Sequence, residues 1–429
     1  MGRTKSILLV AFITACGVES VGRAPEPAVT YLGHAVIPGT VEARPDLSGL
    51  PHALLEDHLS YQDSFDGIGS GIAYSGFSNR YVLLPDRGPN KFEYNGSAAV
   101  DKTTSWKTRF HFADITVTPT GDHYDINLTL RHTSVMVNPQ GENYVGILAS
   151  KFRHDPEGIR VAPDGTVWVS DEYGPTILQF DQAGHQIGSL IAPANMLIAK
   201  IGNEADELRL NQRGRFPNKG AEGLAISPDG HWLVAAMQAP LIQDGGTKGS
   251  FSRFMVFDLT DRNKAPKQFA YPLDVEHGIS ELLAVNDHQF LVDERFGKGG
   301  SETQAKLYLV DTNQTELPSD VTAVESLMKK ELPAGITPLK KTLFADIAKI
   351  LNSAPNVCAN TNGFPEKIEG YAFGPDLADG RHLLIAVNDN DFAPEFPNCV
   401  FAFAVSKDAL PEFQPVKLND EIKFVGDER

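Results

Sequence analysis

The chain has 429 residues, 41% of them hydrophobic and 22% charged, with a formal net charge of −17. That hydrophobic content is ordinary for a soluble protein with a real core. The acidic balance argues against nucleic acid and anionic membrane surfaces as partners, since both need basic patches, and it suits a site that holds metal cations.

At the N-terminus, Arg3 and Lys5 precede a short apolar run, Ile7 to Ile13, followed by Thr14-Ala15-Cys16-Gly17. A basic start, a short apolar run and small residues read as a secretory signal over residues 1–15. The run is too short to span a bilayer. Ile13-Thr14-Ala15-Cys16 also resembles a bacterial lipobox, which makes Cys16 the expected site of lipidation; a plain secretory signal is the alternative. Residues 16–28 then read as a flexible tether and 29–429 as one domain. The expected location is the bacterial envelope or periplasm, with membrane contact only through the anchor. Of the remaining cysteines, Cys358 and Cys399 form the pair expected to oxidise in an exported chain, two separate buried thiols being the alternative.

Further along, one plan recurs. Glu157-Gly158-Ile159, Pro163-Asp164-Gly165 and Trp168 to Glu172 form one copy. Glu222-Gly223-Leu224, Pro228-Asp229-Gly230 and Trp232 to Ala236 form a second. Glu369-Gly370-Tyr371, Pro375-Asp376 and Leu383 to Asp389 form a third. Each is an acidic residue plus Gly, an apolar run, a turn and a second apolar run, which is a β-hairpin. Weaker copies span Gly69 to Arg87 and Glu281 to Arg295. Strand-like runs follow at Thr176 to Phe180, Arg253 to Leu259, Lys306 to Val310 and Cys399 to Val405.

These units predict an all-β fold, a β-propeller of five or six blades. An isolated four-stranded sheet cannot bury both faces, so neighbouring blades must cover each other. Thr30 to Pro38 is the expected ring-closing strand, paired beside Val400 to Val405. Asn90 to Thr108 reads as a long loop, and a short helical insertion is expected around 320–351.

In such a ring, the start of each inner strand and the end of the next strand meet at one mouth. Centring each hairpin on its turn places Gly69 opposite Pro85 and Asp86, Glu157 opposite Asp171, Glu281 near Asp293 and Glu369 near Asn388 and Asp389. The acidic set is Glu157, Asp171, Glu172, Glu222, Asp293, Glu294, Glu369, Asp389 and Asp391. Crowded carboxylates either keep protons or hold a cation. Oxygen-only ligands favour Ca²⁺, with Mg²⁺ possible. The expected metal ligands are Glu157, Asp171, Glu222, Asp293, Glu294, Glu369 and Asp389, and the expected catalytic residues are Glu157, Asp171 and Glu172. Arg87, Arg160, Lys219, Arg295, Lys298 and Lys367 are interleaved at the same level; of these Arg87, Arg295 and Lys298 are the expected contacts to an anionic substrate. No Gly-x-Ser-x-Gly, His-Glu-x-x-His or Gly-x-x-x-x-Gly-Lys motif is present, which favours metal-activated water over a serine nucleophile.

Leu84-Pro85-Asp86-Arg87-Gly88-Pro89, Asp155-Pro156-Glu157-Gly158, Ser170 to Pro175, Lys219 to Ala225 and Lys367 to Tyr371 together resemble the bacterial phytase-like family described as having esterase-like activity of phytase. The resemblance covers roughly Gly67 to Val405. It implies a propeller, an exported location and a hydrolase of phosphate esters or related esters. Propeller phytases use several calcium ions and basic residues around phosphate. The expected protein is therefore a monomeric, metal-dependent hydrolase of a small anionic ester. The alternatives are a non-enzymatic envelope platform and a lactonase-like metal hydrolase.

Overall fold

In the computed structural model, residues 27–37, 44–90, 102–297, 303–354, 358, 367–393, 396–418 and 422–426 are described. The signal, Cys16 and Lys298 lie outside them. The chain begins with β1 (Val29–Ile37) and then builds blade after blade. Blade one is β2 (Gly71–Tyr74), β3 (Arg80–Leu84), β4 (Arg109–Thr120) and β5 (His123–Val135). Blade two is β6 (Pro156–Val161), β7 (Val167–Asp171), β8 (Thr176–Phe180) and β9 (Gln186–Ile191). Blade three follows helix α1 (Glu204–Leu210) and comprises β10 (Ala221–Ile226), β11 (Trp232–Met237), β12 (Phe251–Asp258) and β13 (Lys267–Pro272). Blade four is β14 (Gly278–Ala284), β15 (Gln289–Phe296), β16 (Gln304–Asp311) and β17 (Lys341–Asp346), with helix α2 (Ile347–Asn352) after it. Blade five is β18 (Ile368–Phe373), β19 (His382–Asn388) and β20 (Asn398–Val405).

Each blade is a four-stranded antiparallel sheet, and β1 supplies the outer strand of blade five by pairing with β20 from Val29 opposite Val405 to Ile37 opposite Asn398. The fold is thus an all-β, five-bladed β-propeller whose ring is closed by its own N-terminal strand. Closure removes an exposed sheet edge and makes the first and last blades interdependent. The apolar faces pack between neighbours. Leu83 and Ile72 of blade one meet Ile385 and Val387 of blade five, while Leu283 and Leu307 of blade four meet Tyr371 and Phe401 of blade five.

The expected helix around 320–351 is corrected to a single short one. Only Ile347–Asn352 is helical; Val321–Lys340 contains turns and Lys341–Asp346 is the outer strand of blade four. The helical pattern lost because this segment lies along blade three. Val321 N–H donates to Gln268 O at 2.8 Å and Leu339 N–H to Ala270 O at 2.9 Å, while Leu327 packs on Ala270. Backbone donors used in tertiary bonds cannot serve a helix, and Pro333 and Pro338 interrupt it further.

Cys358 and Cys399 are disulfide-bonded, with 6.3 Å between their Cα atoms and a sequence separation of 41. The bond ties β20 to the segment that leads into β18, whose first residues reach the mouth of the ring. In the chain-entropy account a loop this long is worth roughly 4 kcal/mol. Urea unfolding of a Cys358→Ala/Cys399→Ala variant is expected to show a loss of that order. Equal midpoints for the variant and the oxidised protein contradict this.

Candidate functional site

Four of the five inner hairpins share one irregularity. In blades two to five the pairing of the two inner strands shifts by one residue near the mouth: between Pro156 and Ile159, Ala221 and Leu224, Ile279 and Glu281, and Ile368 and Gly370. Such a bulge bends the strand and re-aims the extra residue. It also fixes which residues are equivalent. Ile72, Ile159, Leu224, Leu282 and Tyr371 pair with Leu83, Val169, Ala235, Val292 and Ala386. Counting outward from those pairs, the mouth positions on the inner strands are Ser70, Glu157, Glu222, Ser280 and Glu369. On the second strands they are Asp86, Glu172, Gln238, Arg295 and Asp389.

This register sorts the acidic set. Glu157, Glu172, Glu222 and Glu369 line a cavity of about 420 Å³ at the channel mouth, together with Asp86, Arg87, Lys219, Gln238, Arg295, Lys367 and Asp391. Asp389 stands behind the wall, paired with Lys367. Asp171 and Glu294 occupy the position one residue earlier and do not line the cavity. The Asp171 carboxylate accepts backbone N–H bonds from Asp155, Tyr173 and Gly174, each 3.1 Å. Glu294 turns between blades to Tyr271, Lys341 and the backbone N–H of Asp274. Asp293 lies deeper, between blades four and five. Asp171→Ala is accordingly expected to lower stability by about 1–3 kcal/mol through unpaired backbone donors, without altering calcium affinity; calorimetric titration at matched fold content checks it.

Turn centring places Asp86 opposite Gly69, but the acidic set leaves out both Asp86 and Asp155; Asp155 precedes the first strand of blade two and so has no place in a hairpin register. Asp86, Asp155 and Glu157, all buried, each place an oxygen within 4.8 Å of the others.

The cavity has two unlike sides. On the blade four and five side, the acids are neutralised. Arg295 pairs with Glu369, and Lys367 bridges Asp389, Asp391 at 2.7 Å and Glu369 at 3.8 Å. On the side of blades one to three, acids outnumber bases. Arg87 pairs with Asp155 and reaches Glu172 at 3.7 Å. Lys219 donates to Gln238 at 2.9 Å, and Gln238 in turn donates to Glu222 at 2.7 Å. Glu172 Oε2 and Glu222 Oε2 are buried without a hydrogen-bond partner. Burial, then repulsion from Glu222, Asp155, Glu172 and Asp86, holds the Glu157 carboxyl well above its usual range. Burial and the neighbouring Glu222 and Asp155 do the same to Glu172. Glu222 is pushed up to about 8 by burial and Glu369, and Asp389 to about 7, mainly by burial.

Below the cavity Arg160 crosses the channel. It donates to Ile72 O of blade one at 2.9 Å and to Leu282 O of blade four, and pairs with Glu281 at 2.8 Å. Beyond it a small apolar cavity of about 70 Å³ is covered by Phe413 to Val416. The mouth is therefore a blind pocket, open on one side only.

His154, near the mouth in sequence, is fully buried and bonded to Thr108 at 3.2 Å, with burial depressing its basicity. Among the described residues no helix is long and apolar enough to cross a membrane.

The class that fold and site define is a five-bladed β-propeller with a charged pocket at one mouth of its channel. Residues 63–392 match the Phytase-like family, described as "Esterase-like activity of phytase", and the chain belongs to that family. A secreted protein of Arthroderma benhamiae, itself uncharacterised, is 24% identical over 467 aligned positions covering 88% of this chain and 86% of its own length. Among solved structures, a luciferin-regenerating enzyme aligns with 82% of this chain and 96% of its own at 10% identity and a TM-score of 0.35.

Proposed function

We propose that this is an exported hydrolase of small anionic esters, phosphate esters first among them, acting in the blind pocket with a divalent cation. The observation that carries the reading is the pairing, in one cavity, of buried carboxylates without hydrogen-bond partners and four basic side chains. Export is supported by the disulfide, by the signal-like N-terminus and by the secreted relative; a lipid on Cys16 belongs to the same proposal.

The residues fit a cation. Carboxylate oxygens of Glu172 and Glu222 that make no hydrogen bond, and the close trio of Asp86, Asp155 and Glu157, form an all-oxygen donor set of the kind that Ca²⁺ or Mg²⁺ takes. Glu157, Glu172, Glu222 and Asp86 would hold it, on the side of the pocket where negative charge is in excess. Such an ion supplies Lewis acidity and lowers the pKa of water. Arg295 and Lys367, on the opposite wall, present N–H donors to the anionic end of a substrate, and Arg87 and Lys219 flank it. Arg160 closes the floor and keeps bulk water from entering from below.

The test is turnover of phosphomonoesters, phosphodiesters, lactones and acyl esters with Ca²⁺, Mg²⁺ and Mn²⁺. Phosphoester turnover supports the reading, and lactone turnover alone replaces it with a lactonase. No turnover on any of them, with calcium still raising the melting temperature, makes the protein a binding platform. In the supporting case Arg295→Met is expected to raise KM by about tenfold or more, since a charged hydrogen bond is worth roughly 1.5–3 kcal/mol; an unchanged KM removes Arg295 from the substrate site.

A further inference from the structure

Blade four departs from the repeat in its interior. At the position one residue inside the mouth, the other four inner strands carry glycine: Gly71, Gly158, Gly223 and Gly370. Blade four carries Glu281. On the second strands the matching position holds Leu84, Ser170, Ala236 and Val387, while blade four carries Asp293, directly paired with Glu281. At the next level inward, where four blades have Ile72, Ile159, Leu224 and Leu282, blade five has Tyr371. The repeat requires none of these three polar residues, yet all three sit in one part of the ring.

Their oxygens lack partners. Asp293 is fully buried with neither carboxylate oxygen hydrogen-bonded; Glu281 Oε2 and Tyr371 Oη are likewise buried and unbonded. The strand that carries Tyr371, β18, packs against both β14 and β15, which carry Glu281 and Asp293. The nearby cations are already used. Arg160 holds Glu281 Oε1 and three backbone carbonyls, and Arg295 holds Glu369, Ser280 Oγ at 3.1 Å and Gly297 O at 3.3 Å. Leaving a buried carboxylate unpaired costs several kcal/mol. The single phenol proton can serve only one of the three carboxylate oxygens.

We propose that Asp293, Glu281 and Tyr371 form a second, interior site for a hard divalent cation such as Ca²⁺, separate from the mouth and fastening blade four to blade five. Two carboxylates match the charge of a divalent ion, and four oxygens with no nitrogen or sulfur match the preference of calcium. The ion joins β14 and β15 to β18 at the level where Arg160 also crosses the channel, so it acts on the rigidity of the ring rather than on a reacting group.

Calcium titration of the metal-stripped full chain by calorimetry tests this. Two binding events are expected in the wild type. Asp293→Asn removes one of them, and Glu157→Gln weakens only the other. Tyr371→Phe, which keeps the ring and its packing, weakens the event lost in Asp293→Asn by about tenfold or more. With terbium in place of calcium, tyrosine-sensitised emission falls in Tyr371→Phe and persists in Glu157→Gln. The proposal is overturned if Tyr371→Phe and Asp293→Asn, both folded, leave calcium stoichiometry and affinity unchanged. It is also overturned if the wild type binds a single ion that Glu157→Gln alone abolishes.

Discussion

Glu157→Gln lowers kcat by about 10²–10³-fold in the presence of saturating calcium, and excess EDTA abolishes turnover by the wild type. The size follows from removing one negative oxygen aimed at a charged centre in a buried, low-dielectric pocket, where a single electrostatic contact is worth roughly 3–4 kcal/mol. Glu157 is the member of the acidic wall most surrounded by others: Glu222, Asp155, Glu172 and Asp86 all act on it. Glutamine keeps the shape and removes the charge, so a fold defect is separable by the melting temperature. Because Glu157 repels its neighbours when no cation is bound, the metal-free variant is expected to melt at or above the wild type. Full activity in excess EDTA sinks the metal-dependent reading, whereas an inactive variant with an unaltered calcium isotherm moves Glu157 from cation ligand to proton carrier.

Metal-stripped protein loses stability as pH rises from 6.5 to 8, and millimolar calcium removes most of that loss. The sign comes from carboxyls whose folded pKa lies above the unfolded value: Glu222 at about 8 and Glu281 at about 7, from 4.5, and Asp389 at about 7, from 3.8. Between the unfolded and folded values the native chain holds protons that the unfolded chain has released. Stability therefore falls with rising pH, by about 1.4 kcal/mol per pH unit for each such proton. Below pH 6.5 the buried imidazoles pull the other way. His111, pushed down to about 3 by burial, and His154 are neutral in the fold but charge when unfolded. Their opposing contribution fades as the unfolded imidazole loses its charge through pH 6.5, so toward pH 8 the carboxyls dominate. Glu222 alone predicts a loss approaching about 2 kcal/mol across that interval, and Glu281 or Asp389 about 1 kcal/mol each. A bound cation stabilises the ionised forms and flattens the curve. Urea midpoints at pH 6.5 and 8, with EDTA or calcium, decide it; a metal-free protein whose stability is level or rising over that interval contradicts the account.

Much of the architecture was legible in the sequence because hairpins are local. Apolar runs of strand length separated by Pro-Asp-Gly turns specify two paired strands wherever they occur, and their recurrence specifies a ring. The closing strand was readable for the same reason: Thr30 to Pro38 has strand character but no neighbour in sequence to pair with. The region around 320–351 was misread because local pattern cannot report that Val321 and Leu339 bond to the edge of blade three.

The site was only partly legible, and the limit lies in a single residue of register. Glu157, Glu222 and Glu369 were visible as mouth residues because the bulge lies on their own strand beside a glycine. Across the hairpin the same bulge shifts the partner by one, so Glu172 rather than Asp171, and Arg295 rather than Asp293 or Glu294, reach the pocket. In a strand, adjacent side chains point to opposite faces. One residue is then the difference between lining the cavity, capping a backbone turn as Asp171 does, and bonding between blades as Glu294 does. The sequence by itself determined the hairpins, the ring and the acidic character of its mouth, since these follow from local pattern and composition. Tertiary structure alone decided which carboxylates share a cavity, which are neutralised by Arg295 and Lys367, and that blade four buries Glu281 and Asp293 where the other blades are glycine and, but for Ser170, apolar. Those outcomes depend on contacts between segments tens to hundreds of residues apart.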